Sequence, residues 1–156
     1  MKPPDHKRIQ HATLVVKKSS LPGAGKGLFT REAIGQGELI IEYKGAITTF
    51  EKVLQNKVIS PYVYYVNRNY VIDANAFPKS LGRYANDAAG LSVFPGIVNN
   101  TQFILLYKKV YLQATADILP GAEIFVAYGK TYWDTIRSNL AIDKQHKKTR
   151  KQKKIK

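Results

Sequence analysis

Tyrosine is the residue type best placed to do chemistry in this chain, because the more familiar catalytic types are missing or badly positioned. Among 156 residues there are 10 Tyr, 3 His and no Cys. His6, His11 and His146 all lie in the polar ends, so neither a His-based triad nor a His metal site has a home in the core. The lack of Cys excludes disulfides, Cys-based zinc sites, iron–sulfur clusters and a thiol nucleophile. Leu21-Pro-Gly-Ala-Gly-Lys-Gly-Leu-Phe29 looks like a phosphate loop but carries Ser20 and Gly27 where a Walker A motif needs Gly and Ser or Thr. A dinucleotide fingerprint fails too, since Leu28 or Thr30 stands where its third Gly should be. What remains is a Gly-rich bend entering a strand, where the backbone can approach a ligand closely or simply turn.

The elements that must position these tyrosines are mainly β. Leu14–Val16, Glu38–Tyr43, Tyr62–Val66, Tyr70–Asp73, Phe103–Tyr107, Val110–Thr115 and Glu123–Tyr128 are short and rich in β-branched and aromatic residues. Pro22-Gly23, Gly35-Gln36-Gly37 and Pro120-Gly121 punctuate them as turns. Helices are few: one over Thr49–Lys57, one turn near Ser80–Tyr84, and one after Thr131, where Thr131 and Asp134 have capping-box spacing. A local echo also stands out. Ile34 to Tyr43 and Ile118 to Tyr128 each run turn, Glu, apolar strand, Tyr, with Glu38 and Glu123 five residues before Tyr43 and Tyr128. Strand alternation places Tyr43 with Leu39 and Ile41, and Tyr128 with Ile124 and Val126, so each hydroxyl rides on an apolar face. Two similar hairpins whose tyrosines cap the core would read the same way.

Composition fits one ordinary globular domain, 44% hydrophobic and 23% charged. The net charge of +14 is uneven: eight Lys and Arg fall within Lys144–Lys156, which holds no acid, and residues 1–143 keep only +6. The reading is a polar N-terminal segment over 1–11, a folded domain over 12–142, and a basic tail over 143–156 expected to be disordered. Such a tail suits a polyanion such as nucleic acid, nuclear import, or solubility alone. No run is long and apolar enough for a membrane span, and the start has no apolar signal-peptide core, so the expected site is intracellular: nuclear in a eukaryotic cell or host, otherwise cytoplasmic.

The order of segments carries more information than any one of them. A Gly-Lys-Gly-Leu-Phe bend, Gly37-Glu-Leu-Ile-Ile-Glu-Tyr43-Lys-Gly45, a Tyr-rich strand ending Ile72-Asp73-Ala74, Gly82-Arg-Tyr-Ala-Asn86-Asp87, and Ala127-Tyr128-Gly129 followed by Tyr132-Trp133 occur in sequence. This series resembles the SET-domain protein lysine methyltransferases, over roughly Thr13 to Asn139, and most of all their minimal, stand-alone members. The resemblance implies small twisted β-sheets and a C-terminal pseudoknot that brings Asn86 and Tyr128 together.

By the same resemblance, Gly25, Lys26 and Gly27 would hold the amino-acid end of S-adenosyl-L-methionine. Asn86 would match the Asn of the family's Asn-His-Ser signature, while Asp87 stands in place of its His and Ala88-Ala89 in place of Ser-Cys. Tyr43, Tyr62, Phe103 and Val126 would line the target-lysine channel. Tyr128 would match the catalytic tyrosine and also touch the cofactor. Tyr132 and Trp133 would begin the C-terminal flap, an aromatic face stacking on adenine or packing the helix. The family often has Tyr or Phe two residues before the catalytic tyrosine. Val126 there lacks a hydroxyl, as does Phe103, with Tyr107 the nearest alternative, so products beyond monomethyl-lysine are expected.

Tyrosines suffice for such a reaction. Aromatic walls disfavour a charged amine while their faces attract a cation on entry. Hydroxyls can aim the nitrogen lone pair, and in-line positioning supplies much of the rate. With a pKa near 10, a tyrosine is a poor base at neutral pH, so Tyr128 is assigned orientation and electrostatic support. The expected substrate is a histone or other basic protein already on DNA or RNA, since a basic domain repels a free basic peptide. Two other readings stay open: a non-enzymatic chromatin or nucleic-acid-binding module, and a degenerate SET scaffold that has lost its cofactor.

Overall fold

A computed structural model describes residues 13–91 and 93–153. The N-terminal segment 1–11 and the last three residues lie outside that range.

Among the described residues, nine short strands form three antiparallel three-stranded sheets. The first holds β1 (Leu14–Lys18), β2 (Lys26–Thr30) and β9 (Glu123–Ile124), in the order β1-β2-β9. The second orders β3 (Leu39–Glu42), β8 (Lys109–Ala114) and β7 (Thr101–Leu106) as β3-β8-β7. The third orders β4 (Ala46–Thr48), β6 (Tyr70–Asp73) and β5 (Val63–Asn67) as β4-β6-β5. Helix α1 (Phe50–Leu54) starts where the Thr49 side chain accepts the Lys52 amide, and Leu81–Tyr84 form one 3-10 turn. The main core gathers Leu28, Ile34, Ile40, Leu112, Ile118, Ile124 and Val126 from the first two sheets and their connections. A second core, Tyr43, Ile72, Ala74 and Val110, lies where the second and third sheets meet.

The two echoed segments meet in space. Ile34 and Ile118, their matching first residues, exchange backbone hydrogen bonds of 2.9 and 2.8 Å. The echo then breaks. In β3 the pairing with β8 shifts between Leu39 and Ile41, so Leu39 lies opposite Gln113 while Ile41 lies opposite Leu112 and Tyr43 bonds to Val110. The expected shared face of Leu39, Ile41 and Tyr43 is therefore broken at Leu39, where a bulge changes the alternation, while Ile41 and Tyr43 keep it side by side over Gly82. On the other copy, Ile124 and Val126 are core residues and Tyr128 packs against them, as alternation requires.

Further differences concern the C-terminal half and the helix that ends it. The strand expected over Glu123–Tyr128 ends at Ile124; beyond it the chain pairs in parallel with Asn86 and with Thr101. The final helix α2 runs over Lys130–Lys153, so the basic stretch expected to be disordered continues as helix through its described residues. That helix begins one residue before Thr131, and the Asp134 carboxylate accepts from Lys130 and Arg137. Tyr107 lies on the β7–β8 turn at positive φ and is 82% exposed, so it does not reach the aromatic interior.

Candidate active site

Phe125 and Val126 thread between two segments and bond to both. Val126 donates its amide to the Asn86 carbonyl at 2.9 Å. The Phe125 carbonyl accepts the amides of Asn100 at 3.1 Å and Thr101 at 2.9 Å, and the Thr101 hydroxyl at 2.8 Å. Asn100 closes the crossing with its amide side chain, donating to the Glu123 carbonyl at 2.8 Å and accepting the Phe125 amide at 2.9 Å. This crossing carries Tyr128 to the Asn86 segment, where its hydroxyl donates to the Ala85 carbonyl at 2.6 Å.

The Gly-rich bend is fastened to the same crossing. Asn86 donates its side-chain amide to the Lys26 carbonyl at 2.8 Å and to Glu123 Oε1 at 3.4 Å. Glu123, 5% exposed, also accepts the Ser19 hydroxyl at 2.6 Å and the Ser20 amide and hydroxyl at 2.7 and 2.5 Å. Gly27 has no room for a side chain, since a Cβ there would stand 2.1 Å from Glu123 Oε1. Gly25 differs: its φ of 73° suits glycine, and a Cβ would meet nothing within 4 Å. The bend is thus anchored on one side and open on the other.

Two aromatic groups flank the crossing. Tyr43 is buried, and its hydroxyl donates to the Tyr62 carbonyl at 2.8 Å. Phe103 meets Tyr43 edge-on with ring centres 5.5 Å apart and lies 4.3 Å from Tyr64. The Arg83 guanidinium sits 3.7 Å above the Tyr62 ring and donates to the carbonyls of Ala74 and Asn75. The second group is Tyr128, Tyr132 and Trp133: Tyr132 contacts Tyr128 edge-on at 4.9 Å, and Trp133 is nearly parallel to it at 5.8 Å. Burial pushes the Tyr128 phenol far up, helped by nearby Tyr132, Tyr43, Asp87 and Tyr62. Burial likewise raises the Tyr43 phenol, opposed by the Arg83 charge. Both phenols stay neutral, and each has committed its proton to a carbonyl. Their oxygen lone pairs remain available to accept from a guest amine.

The sequence-derived residues fall into neighbouring groups. Tyr43, Tyr62 and Phe103 form the first aromatic group, with Val126 fully buried in the adjoining core. Gly25, Lys26, Gly27, Asn86, Asp87, Tyr128 and Trp133 are linked through the crossing and the bonds that fasten it. Sequence reasoning gave no role to Ser19, Ser20, Glu123, Asn99, Asn100 or Tyr64. For Glu123 a signal existed: the echo repeats an acid at the head of an apolar strand, and both Glu38 and Glu123 are buried. Arg83 sat inside a quoted motif, but nothing local showed that its charge would be spent on distant carbonyls.

Small antiparallel sheets, a threaded C-terminal segment and a tyrosine-lined interior define the class of protein. The SET domain family model matches residues 25–129, about two thirds of the chain, and the chain belongs to the SET-domain family. It is similar to the histone-lysine N-methyltransferase EZH2 of Chaetomium thermophilum, 28% identical over 131 residues, which cover 76% of this chain and 8% of that protein. Similarity extends to a putative histone-lysine N-methyltransferase 1 of Plasmodium falciparum, at 33% identity over 121 residues, 74% of this chain and 2% of that one. The N-lysine methyltransferase KMT5A-B of Xenopus laevis is 27% identical over 124 residues, covering 73% of this chain and 36% of its own. The matched region is thus a small part of each relative. No helix among the described residues is long and apolar enough to cross a membrane.

Proposed function

We propose that this chain is an S-adenosyl-L-methionine-dependent protein-lysine N-methyltransferase acting on a histone or another basic protein held on nucleic acid. The observation that carries the reading is the convergence, at one crossing, of the bend anchored by Asn86 with the Tyr128 hydroxyl fixed on Ala85. The residues present fit the cofactor. Gly25 leaves open space beside its backbone, and two buried carboxylates, Asp87 and Glu123, favour a cationic guest nearby. Gly25, Lys26 and Gly27 would hold its amino-acid end, with Asn86, Asp87, Tyr128 and Trp133 around the rest. When bound, it supplies an electrophilic methyl group on a sulfonium.

The chain's own part is to prepare the amine. Tyr43, Tyr62, Tyr64 and Phe103 replace water around the lysine head, which lowers its pKa and favours the neutral nucleophile. Tyr128 and Tyr43 donate to carbonyls, so their oxygens accept the amine N–H bonds and turn its lone pair toward the methyl donor. Neither phenol serves as the base, since burial holds both neutral; the proton leaves to water. Val126 and Phe103 bring no hydroxyl, which leaves room for more than one methyl.

Substrate and place follow from charge and kinship. The relatives' names speak of histone-lysine methylation. The described basic residues from Lys144 to Lys151 are exposed on α2 and offer phosphates a preformed contact. A nuclear site in a eukaryotic cell or host suits both. Calorimetry with S-adenosyl-L-methionine tests the reading: a saturable one-to-one heat is expected, and a folded protein that gives none overturns it.

A further inference from the structure

Asp87 stands where the family signature has His, and its carboxylate collects four donors. Oδ1 accepts the Ala89 amide and the Asn99 side-chain amide, both at 2.8 Å. Oδ2 accepts the Tyr128 backbone amide at 2.9 Å and the Trp133 indole N–H at 2.7 Å. The residue is 5% exposed. Asn99 extends the set by accepting the Ala88 amide at 2.9 Å. One carboxylate therefore ties together the Asn86 segment, the segment that leads into Asn100 and Thr101, the tyrosine at the end of the crossing and the first turn of α2.

Only a carboxylate can do this with one side chain. All four partners are N–H donors, so the group between them must accept on both oxygens. An amide would turn its NH2 toward one pair of donors, and an imidazole has too few acceptor sites. Packing agrees with the bonds, because Gly90 leaves the space the indole occupies: a Cβ there would lie 2.4 Å from Trp133 Cζ2. The ring is thereby held nearly parallel to Tyr128, at 15°.

We infer that Asp87 is a positioning residue, which acts through Trp133 and the Tyr128 backbone to fix the C-terminal aromatic flap and aim the Tyr128 hydroxyl. The inference rests on the methyltransferase reading for its effect on turnover, while the tether itself can be measured without turnover. Trp133 is the sole tryptophan of the chain, so its fluorescence reports the flap alone.

The test compares wild type with Asp87→Asn, Trp133→Phe and the double variant. Asp87→Asn is expected to keep the wild-type far-ultraviolet spectrum, shift Trp133 emission to the red, and lower kcat roughly tenfold or more with less change in KM for S-adenosyl-L-methionine. Trp133→Phe removes the indole donor and keeps an aromatic ring at the position, and should give part of the same loss. The double variant should lose less than the product of the two single losses, since both remove one bond. Unchanged emission in Asp87→Asn overturns the tether, whether or not the wild type transfers methyl groups. Changed emission with unaltered kcat, or fully multiplicative losses, overturns the positioning role. Should Asp87→Asn fail to fold, Trp133→Phe with wild-type kcat overturns the same role. A wild type inactive on every basic substrate, with the emission shift present, instead refutes the methyltransferase reading and leaves the tether standing.

Discussion

The Asn86 carbonyl accepts the Val126 amide at 2.9 Å, while the Asn86 side chain reaches the other way to the Lys26 carbonyl at 2.8 Å. One residue thus locks the threaded strand with its backbone and holds the Gly-rich bend with its side chain. The two roles can be separated. Asn86→Ala leaves the backbone bond in place, so the fold should survive. Loss of the Lys26 bond, about 1 kcal/mol, together with the longer one to Glu123, should weaken S-adenosyl-L-methionine binding about fivefold or more by calorimetry.

Gly27→Ala attacks the same bend from below. The new methyl would collide with Glu123 Oε1 and Cδ, at 2.1 and 2.8 Å, and Glu123 cannot yield without releasing Ser19 and Ser20. A destabilisation of about 1–3 kcal/mol is expected, read from urea midpoints. Gly25→Ala meets no such contact and should be limited to the backbone cost of its positive φ.

The buried phenols predict how stability changes in alkali. Tyr128 and Tyr43 are raised above the ordinary value of about 10, mainly by burial. Below pH 10 both states keep the proton and stability is unaffected. Above it the unfolded chain loses protons the folded one retains, so stability falls as pH rises. Urea midpoints should drop between pH 9 and pH 11, and Tyr128→Phe should reduce that drop. An identical decline in the variant would place the alkaline sensitivity elsewhere.

Much of this arrangement is legible in the sequence, for particular reasons. Tyr128, Asn86 and the Gly-rich bend lie in short motifs whose order is distinctive, and β-branched runs mark most strands. The break in the echo is not legible, because the bulge between Leu39 and Ile41 depends on pairing with β8. Nor is the early end of β9, where the chain exchanges an antiparallel partner for two distant parallel ones. The Asp87 hub escaped for a similar reason: its donors come from Ala89, Asn99, Tyr128 and Trp133, which only the crossing assembles. Charge alone suggested a disordered tail. As a helix, the same residues sit at the C-terminal end of α2, where the macrodipole favours cations.

Removing residues 144–156 tests what that helix end does. Affinity for duplex DNA should fall, and the salt dependence of binding should become shallower as phosphate contacts are lost. Activity on a nucleic-acid-bound substrate should drop in a salt-sensitive way, with activity on a free peptide nearly unchanged. Equal loss on both substrates would make the segment part of the catalytic fold.

The most direct measurement is mass spectrometry of histones, free and assembled on DNA, after incubation with S-adenosyl-L-methionine and either the wild type or Tyr128→Phe. Methylated lysine is expected with the wild type, and a rate about 100-fold lower with Tyr128→Phe, which keeps the ring and its packing but loses the aiming hydroxyl. Wild-type rates in Tyr128→Phe, or no lysine methylation by a folded wild type, would contradict that expectation.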